Sequence, residues 1–406
     1  MTSSGISNEA KFVLVAANRA ADDPTLCAAA TRGLDWSTVL EIAVSEGVQT
    51  ILARRLRACE GLPLPAGVSA ALDHITRIAE LRMQYVRRRL HEVLEVLASA
   101  GIPVVLLKGA ALANWAYASF GDRYMSDIDL LVRPEDAGKA HSALQSTGWR
   151  PRFKEQYNDF YRDMHHLMPL VDGQAPAMKL NAEIHTSLIA EDRNPFLLTN
   201  VDFWRDAERL DHLPGDTRVL SPLHALWHAC VHYAWSHMFT RGIRTFQDVD
   251  VIARSGRLDW SMFVSEAERS RAATCCYWTL VLSRKFGAAD FSEDVLFALE
   301  PPMSALVRRT VSRHLENEII SGHGVCPSIR LRRLMWQAAI RPARSGHGTN
   351  RPWTDADWKA LLADHPEAAD ALPPDGMPSS RNFAAWLRYM QALLVHHEVR
   401  DERTAA

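Results

Sequence analysis

A chain of 406 residues is long enough for two or three domains, and 47% apolar with 23% charged residues is the composition of an ordinary globular protein. A formal net charge of −2 excludes a global field that would draw in nucleic acid, so any polyanion site has to be local. The six cysteines (Cys27, Cys59, Cys230, Cys275, Cys276, Cys326) form no Cys-x-x-Cys pair, which argues against a disulfide framework or a zinc ribbon.

No run of about 18 apolar residues reads as a membrane span. The Met1-Thr-Ser-Ser-Gly start lacks the basic and apolar regions of a secretory leader. The expectation is a cytoplasmic protein with no membrane partner.

Residues 1–98 read as an N-terminal helical region. Asp35-Trp36-Ser37 opens a helix striped by Val39, Leu40, Ile42, Ala43 and Val44, and Gly47 closes it. Val48 to Cys59 reads as a second helix, followed by a Pro/Gly break over residues 61–67. A long helix runs from about Ser69 to Ala98, with Ile75, Ile78, Ala79, Val86, Leu90, Val93, Leu94 and Leu97 at helical spacing. Its Arg82, Arg87, Arg88 and Arg89 read as a solvated outer face, with a basic rim over a triphosphate or nucleic acid as the alternative.

Gly101-Ile102-Pro103 marks the turn into the central stretch, Val104 to Val132. A short apolar run, Val104 to Leu107, reads as a buried strand that ends at Lys108-Gly109. A helix over residues 110–117 follows, then Arg123 and Asp127-Ile128-Asp129, leading into Leu130, Leu131 and Val132. Successive strand side chains point to opposite faces. Asp127 and Asp129 therefore share one face while Ile128 points into the core. Two adjacent carboxylates raise each other's pKa unless a cation lies between them. A hard, oxygen-seeking ion such as Mg2+, or Mn2+, would supply it. The bland alternative is a polar strand end facing water.

Pro134 starts a helix packed through Ala137, Ala140, Ala143 and Leu144, and Trp149 to Phe153 reads as a strand. Leu167 to Val171 and Met178 to His185 read as paired strands around Asp172-Gly173. In the second, Met178, Leu180, Ala182 and Ile184 alternate with Lys179, Asn181, Glu183 and His185, one face apolar and the other polar.

From about Leu220 the pattern is helical again. Ser221-Pro222 opens a helix carrying His224, His228 and His232 four residues apart. No glutamate follows the first histidine and no third ligand is evident, so they read as structural or acceptor-facing rather than as zinc ligands. Gln247 and Asp248, on a helix from Arg241 to Ala253, are expected to meet that face. Two more helices start near Asp259-Trp260 and Cys275. An arginine-rich run from Arg330 to Arg344 and short helices near residues 354–362 and 383–395 are expected in the tail.

The apolar strand, the Lys-Gly turn, the helix and Arg-x-x-x-Asp-x-Asp-Leu-Leu-Val together resemble the nucleotidyltransferase superfamily with a DNA polymerase β-like core. More narrowly they resemble its branch of uncharacterised bacterial nucleotidyltransferases with Lys-Gly at the phosphate turn, where most members have Gly-Ser. The resemblance is clearest over residues 102–188 and recognisable over residues 36–286. It implies an α+β fold, a mixed-sheet polymerase β-like core flanked by helical regions: 1–98 helical, 99–215 catalytic core, 216–330 helical acceptor side, 331–406 helical tail.

It also implies transfer of an NMP from ATP or another NTP to an acceptor hydroxyl, with release of pyrophosphate. Asp127 and Asp129 would bridge two metal ions, and Glu183 supplies the third carboxylate. Lys108, Gly109 and Arg123 would hold the triphosphate, with His185 ordering a phosphate or a carboxylate. His228, His232 and Asp248 would line the acceptor cleft. The acceptor remains open between a small molecule, a peptide, a protein and an RNA end. The alternative is a catalytically weak nucleotide-binding or antitoxin-like partner protein of the same fold.

Overall fold

The computed structural model describes residues 6–18, 33–59, 64–153, 165–189, 196–303 and 305–320, together with 336, 339 and 340. Cys27, Cys326, the arginines of the 330–344 run and the expected helices near 354–362 and 383–395 lie outside the described residues.

Among the described residues four helices precede the sheet: α1 (Asn8–Asn18), α2 (Trp36–Ser45), α3 (Gln49–Ala58) and α4 (Ala66–Ser99). Asp35 caps α2 by accepting from the Ser37 amide at 3.0 Å, as its position before Trp36 predicts. Val44 and Ile78, expected in apolar stripes, are instead 48% and 54% exposed. Each lies just outside the arc that its helix turns inward.

The sheet is built from β1 (Val104–Leu106), β2 (Asp127–Leu131), β3 (Trp149–Pro151), β4 (Leu170–Asp172), β5 (Asn181–His185), β6 (Glu208–Arg209) and β7 (Thr217–Val219). Its order is β3-β4-β5-β2-β1-β7-β6. The β2–β5 and β1–β7 pairs are parallel and the rest antiparallel, giving the expected α+β mixed sheet. Between the strands lie α5 (Lys108–Trp115), α6 (Ala137–Gln145) and α7 (Asn200–Arg205). The expected turn at Lys108-Gly109 is itself the first step of α5. β6 and β7 were not expected, and β7 extends the sheet to Val219 beside the central strand β1.

Period-2 alternation divides the interior in two. Val104, Leu106, Ile128, Leu130, Ala182 and Ile184 point to one side, into a cluster with Met83, Val86, Leu90 and Leu94 of α4 and Ala140 and Leu144 of α6. Val105 and Leu131 point to the other, toward a second cluster that joins α1, α2, α3 and the start of α4 to the C-terminal helices. The C-terminal helices are α8 (Pro222–Val231), α9 (Gly242–Arg254), α10 (Trp260–Arg269), α11 (Ala273–Phe286), α12 (Glu293–Leu299) and α13 (Ala305–Glu318). No helix among the described residues is long and apolar enough to cross a membrane.

The arginine face of α4 departs from expectation. Arg89 is only 1% exposed. Its Nε donates to Asp172 at 3.0 Å, its guanidinium lies over the Trp149 ring at 4.9 Å, and it also pairs with Glu92. Tyr85 and the Gln174 amide complete the shell of Asp172. Burial, then the bond to Asp172, pushes the Tyr85 phenol up to about 12. Arg82 donates to the Met178 carbonyl, and Arg88 pairs with Glu92 at 2.8 Å. Arg82 and Arg89 thus tie α4 to the segment before β5 and to β4, while Arg87 and Arg88 stay exposed, as expected of a solvated face.

Candidate active site

Asp127 and Asp129 stand on the face of β2 that looks toward the C-terminal helices, while Ile128 between them is fully buried on the other side. The β2–β5 register places Asp127 beside Asn181, Asp129 beside Glu183 and Leu131 beside His185. In a parallel pair, residues at the same level share a face, so both aspartates, Glu183 and His185 converge. One oxygen each of Asp129 and Glu183 and a ring nitrogen of His185 lie within 4.8 Å of one another. His185 was expected on a polar face, and it is buried there beneath the helices.

Lys108 enters from the head of α5. Its φ of 48° lies in the left-handed region, unusual for a residue with a side chain. Its ammonium donates to Asp129 Oδ1 at 2.8 Å, and His185 Nε2 lies 2.9 Å from the same oxygen and 3.5 Å from Glu183 Oε2. Next in sequence, Gly109 packs flush: a Cβ there would lie 3.4 Å from Met125 Cβ and 3.5 Å from Arg123 Nη1.

The carboxylates divide by their surroundings. Burial would raise Asp129, but Lys108 and His185 outweigh it and hold the group well below the usual range. Burial would raise Glu183 too, but the His185 bond together with the charges of Lys108 and His185 holds it low. Asp127 goes the other way: burial pushes it up and the Asp129 charge pushes it further. Asp127 has no hydrogen bond or ion pair among the described residues. An acid raised by its neighbour and left without a partner is the arrangement that a cation relieves.

Arg123 and Asp248, expected on opposite sides of a cleft, are bonded to each other. Arg123 Nε and Nη2 each donate to an Asp248 oxygen at 2.8 Å, and the Tyr117 hydroxyl donates to the same carboxylate at 2.7 Å. This bidentate pair, 125 residues apart in sequence, ties the segment before β2 to α9. Gln247, expected against the histidines, bonds the Ala17 carbonyl on α1 at 3.1 Å.

His228 and His232 are buried near the acids, and both feel the charges of Lys108 and Asp129. The end of α8 runs into a π-helical segment, His232–Ser236, which carries the chain to His237. The rings of His232 and His237 lie 4.5 Å apart, and those of His228 and His232 5.7 Å. From the other side, His165 and His166 each stand 5.3 Å from the His185 ring. Burial first, then nearby cationic groups, drives His165 and His228 down to about 3 and His237 down to about 4. These rings form a wall of neutral imidazoles. His224, the third of the helical series, points instead toward Phe203 and Asp206.

Sequence reasoning missed His165, His166, His237, Tyr117 and Arg244. The only local signal was the polar-aromatic stretch before Leu167, and nothing in its spacing predicts the bridge from His166 to His185.

A family model described as an uncharacterised nucleotidyltransferase matches residues 32–287 of the chain. None of the curated proteins and none of the solved structures matches it.

Proposed function

From the premise that the chain belongs to this family of uncharacterised nucleotidyltransferases, and so is a transferase enzyme, we propose that it moves an NMP from an NTP to an acceptor hydroxyl in a divalent-cation-dependent reaction that releases pyrophosphate. The observation that carries the reading is the in-register meeting of Asp129 and Glu183, with Asp127 on the same face and Lys108 at the strand-to-helix turn.

The donor set fits a hard divalent ion: three carboxylates on one face, one of them without a partner, beside a single imidazole. Asp127, Asp129 and Glu183 would hold it. Bound there, such an ion supplies charge neutralisation at the phosphates and a lowered pKa for the attacking hydroxyl.

The chain's own groups do the rest. Lys108 exchanges Asp129 for a phosphate oxygen and offsets its charge. Glu183 accepts the proton of the acceptor hydroxyl as the new P–O bond forms and the bond to pyrophosphate breaks. His185, bonded to Asp129 and close to Glu183, fixes the orientation of both carboxylates. His228 and His232, as neutral imidazoles, face the acceptor side and offer it hydrogen bonds without adding charge.

Pyrophosphate should appear when the protein is mixed with an NTP, Mg2+ or Mn2+ and fractions of a cell extract, and should cease with EDTA. Tight NTP binding without release in any fraction would defeat the transfer reading. A second reading has one contact in its favour: Lys108 already neutralises Asp129. In that reading the site binds a nucleotide without turning it over. It predicts an NTP affinity indifferent to added metal.

A further inference from the structure

Arg244 carries a charge that no other described residue pairs with. It lies on the first turn of α9, half-buried, and makes no hydrogen bond or ion pair among the described residues. Its neighbours are different: Arg123 is locked to Asp248, and Arg254 pairs with Asp250 at 2.8 Å. The stem of Arg244 is held in place, because the turn at Gly47 closes on it. A Cβ on Gly47 would meet Arg244 Cδ and Nη1 at 3.4 Å and the Tyr124 ring at 3.0 Å.

Asp127 also has no partner among the described residues. The two feel each other's charge, yet no ion pair closes between them. His237 senses Arg244 together with Lys108 and Asp129, which puts these groups within reach of one another's charge. A half-buried arginine held against Gly47 and Tyr124, and a half-buried aspartate three residues beyond Tyr124, with no ion pair between them, are two groups that one ligand could satisfy.

The chemistry of that ligand follows. The aspartate side takes a cation, and the arginine side takes an anion with several oxygens. A guanidinium presents a planar fork of donors that suits phosphate. A metal-bound polyphosphate has both ends. On the premise of the nucleotidyl-transfer reading, we propose that Arg244, and not Arg123, is the arginine that grips the β- and γ-phosphates of the NTP and then the leaving pyrophosphate. Arg123 braces Gly109 and α9 instead, through its bond to Asp248.

The test is titration calorimetry on the full chain with Mg2+ present, using three probes: an unhydrolysable NTP, inorganic pyrophosphate and the matching NMP. In Arg244→Met, affinity for the NTP and for pyrophosphate should fall about ten- to a hundredfold, as expected for losing a charge-assisted contact. Affinity for the NMP should hold, and Arg244→Lys should recover part of the loss. Thermal melting of each variant checks the fold, which an unpaired side chain should leave intact. An Arg244→Met protein that melts like wild type and binds the NTP equally well overturns the inference. So does an equal loss for NMP and NTP. Wild-type protein that binds no nucleotide at all overturns the nucleotidyl-transfer reading and the inference with it.

Discussion

The two sides of the sheet use buried charge in opposite ways. On the α4 side, Asp172 is surrounded by Arg89, Tyr85 and the Gln174 amide. On the side facing the C-terminal helices, Asp127 and Arg244 lack partners among the described residues, and Asp129 and Glu183 crowd together with one lysine and one histidine between them. β2 belongs to both sides: Ile128 and Leu130 serve the first, and Asp127 and Asp129 the second. A buried charge with its bonds complete holds structure. A buried charge with bonds missing is a place for a ligand. A complete buried pair, Arg123–Asp248, also lies on the side facing the C-terminal helices, so saturation rather than location separates strut from site.

The comparison can be broken by making each side behave like the other. Arg89→Met should strand Asp172 in the interior and cost about 3–5 kcal/mol of stability, while the folded fraction keeps its activity. Chemical denaturation reads the first effect and transfer per folded molecule the second. Next, Ile128→Ala removes a fully buried side chain one residue from both aspartates. It should cost about 3 kcal/mol through the cavity it leaves, with nucleotide affinity nearly unchanged.

On the charged side the effects should move from stability to binding. Lys108→Ala should weaken binding of an unhydrolysable NTP about tenfold, as for loss of one contact to a charged group, with a melting temperature close to wild type. An unchanged affinity would mean that Lys108 serves only Asp129. The smallest effect is expected at the imidazole wall. His228→Ala should leave NTP affinity in place and slow transfer to the acceptor several-fold, about the value of one neutral hydrogen bond. Untouched transfer would make the wall a structural lining.

Much of the chemistry was legible because it is local. Alternation across Asp127, Ile128 and Asp129 gave their faces, and alternation from Leu180 to Ile184 gave the face of Glu183. The caps at Asp35, Ser221 and Asp259 marked helix starts that the fold has. What stayed hidden is long-range or too short to carry a period. β6 has two residues and β7 three, which shows no alternation. Arg89 sits on a helix whose arginines look solvated, and its burial depends on Asp172, 83 residues away. The Arg123–Asp248 bond joins segments that sequence patterning treats as unrelated. Arg244 escaped notice for the same reason: its meaning lies in the partner it lacks, which only the packed structure reveals.

Catalysis is assigned above all to the two acids of β2, Asp127 without a partner among the described residues and Asp129 bonded to Lys108 and His185. The direct measurement is transfer of label from an α-32P NTP to cell-extract acceptors by wild type, Asp127→Asn and Asp129→Asn at equal folded concentration. Expected are labelled product with wild type and a loss of roughly a thousandfold in both variants, the several kcal/mol that metal-assisted charge stabilisation supplies, with a melting temperature near or above wild type for Asp127→Asn. Labelling by either variant at the wild-type rate would contradict that assignment.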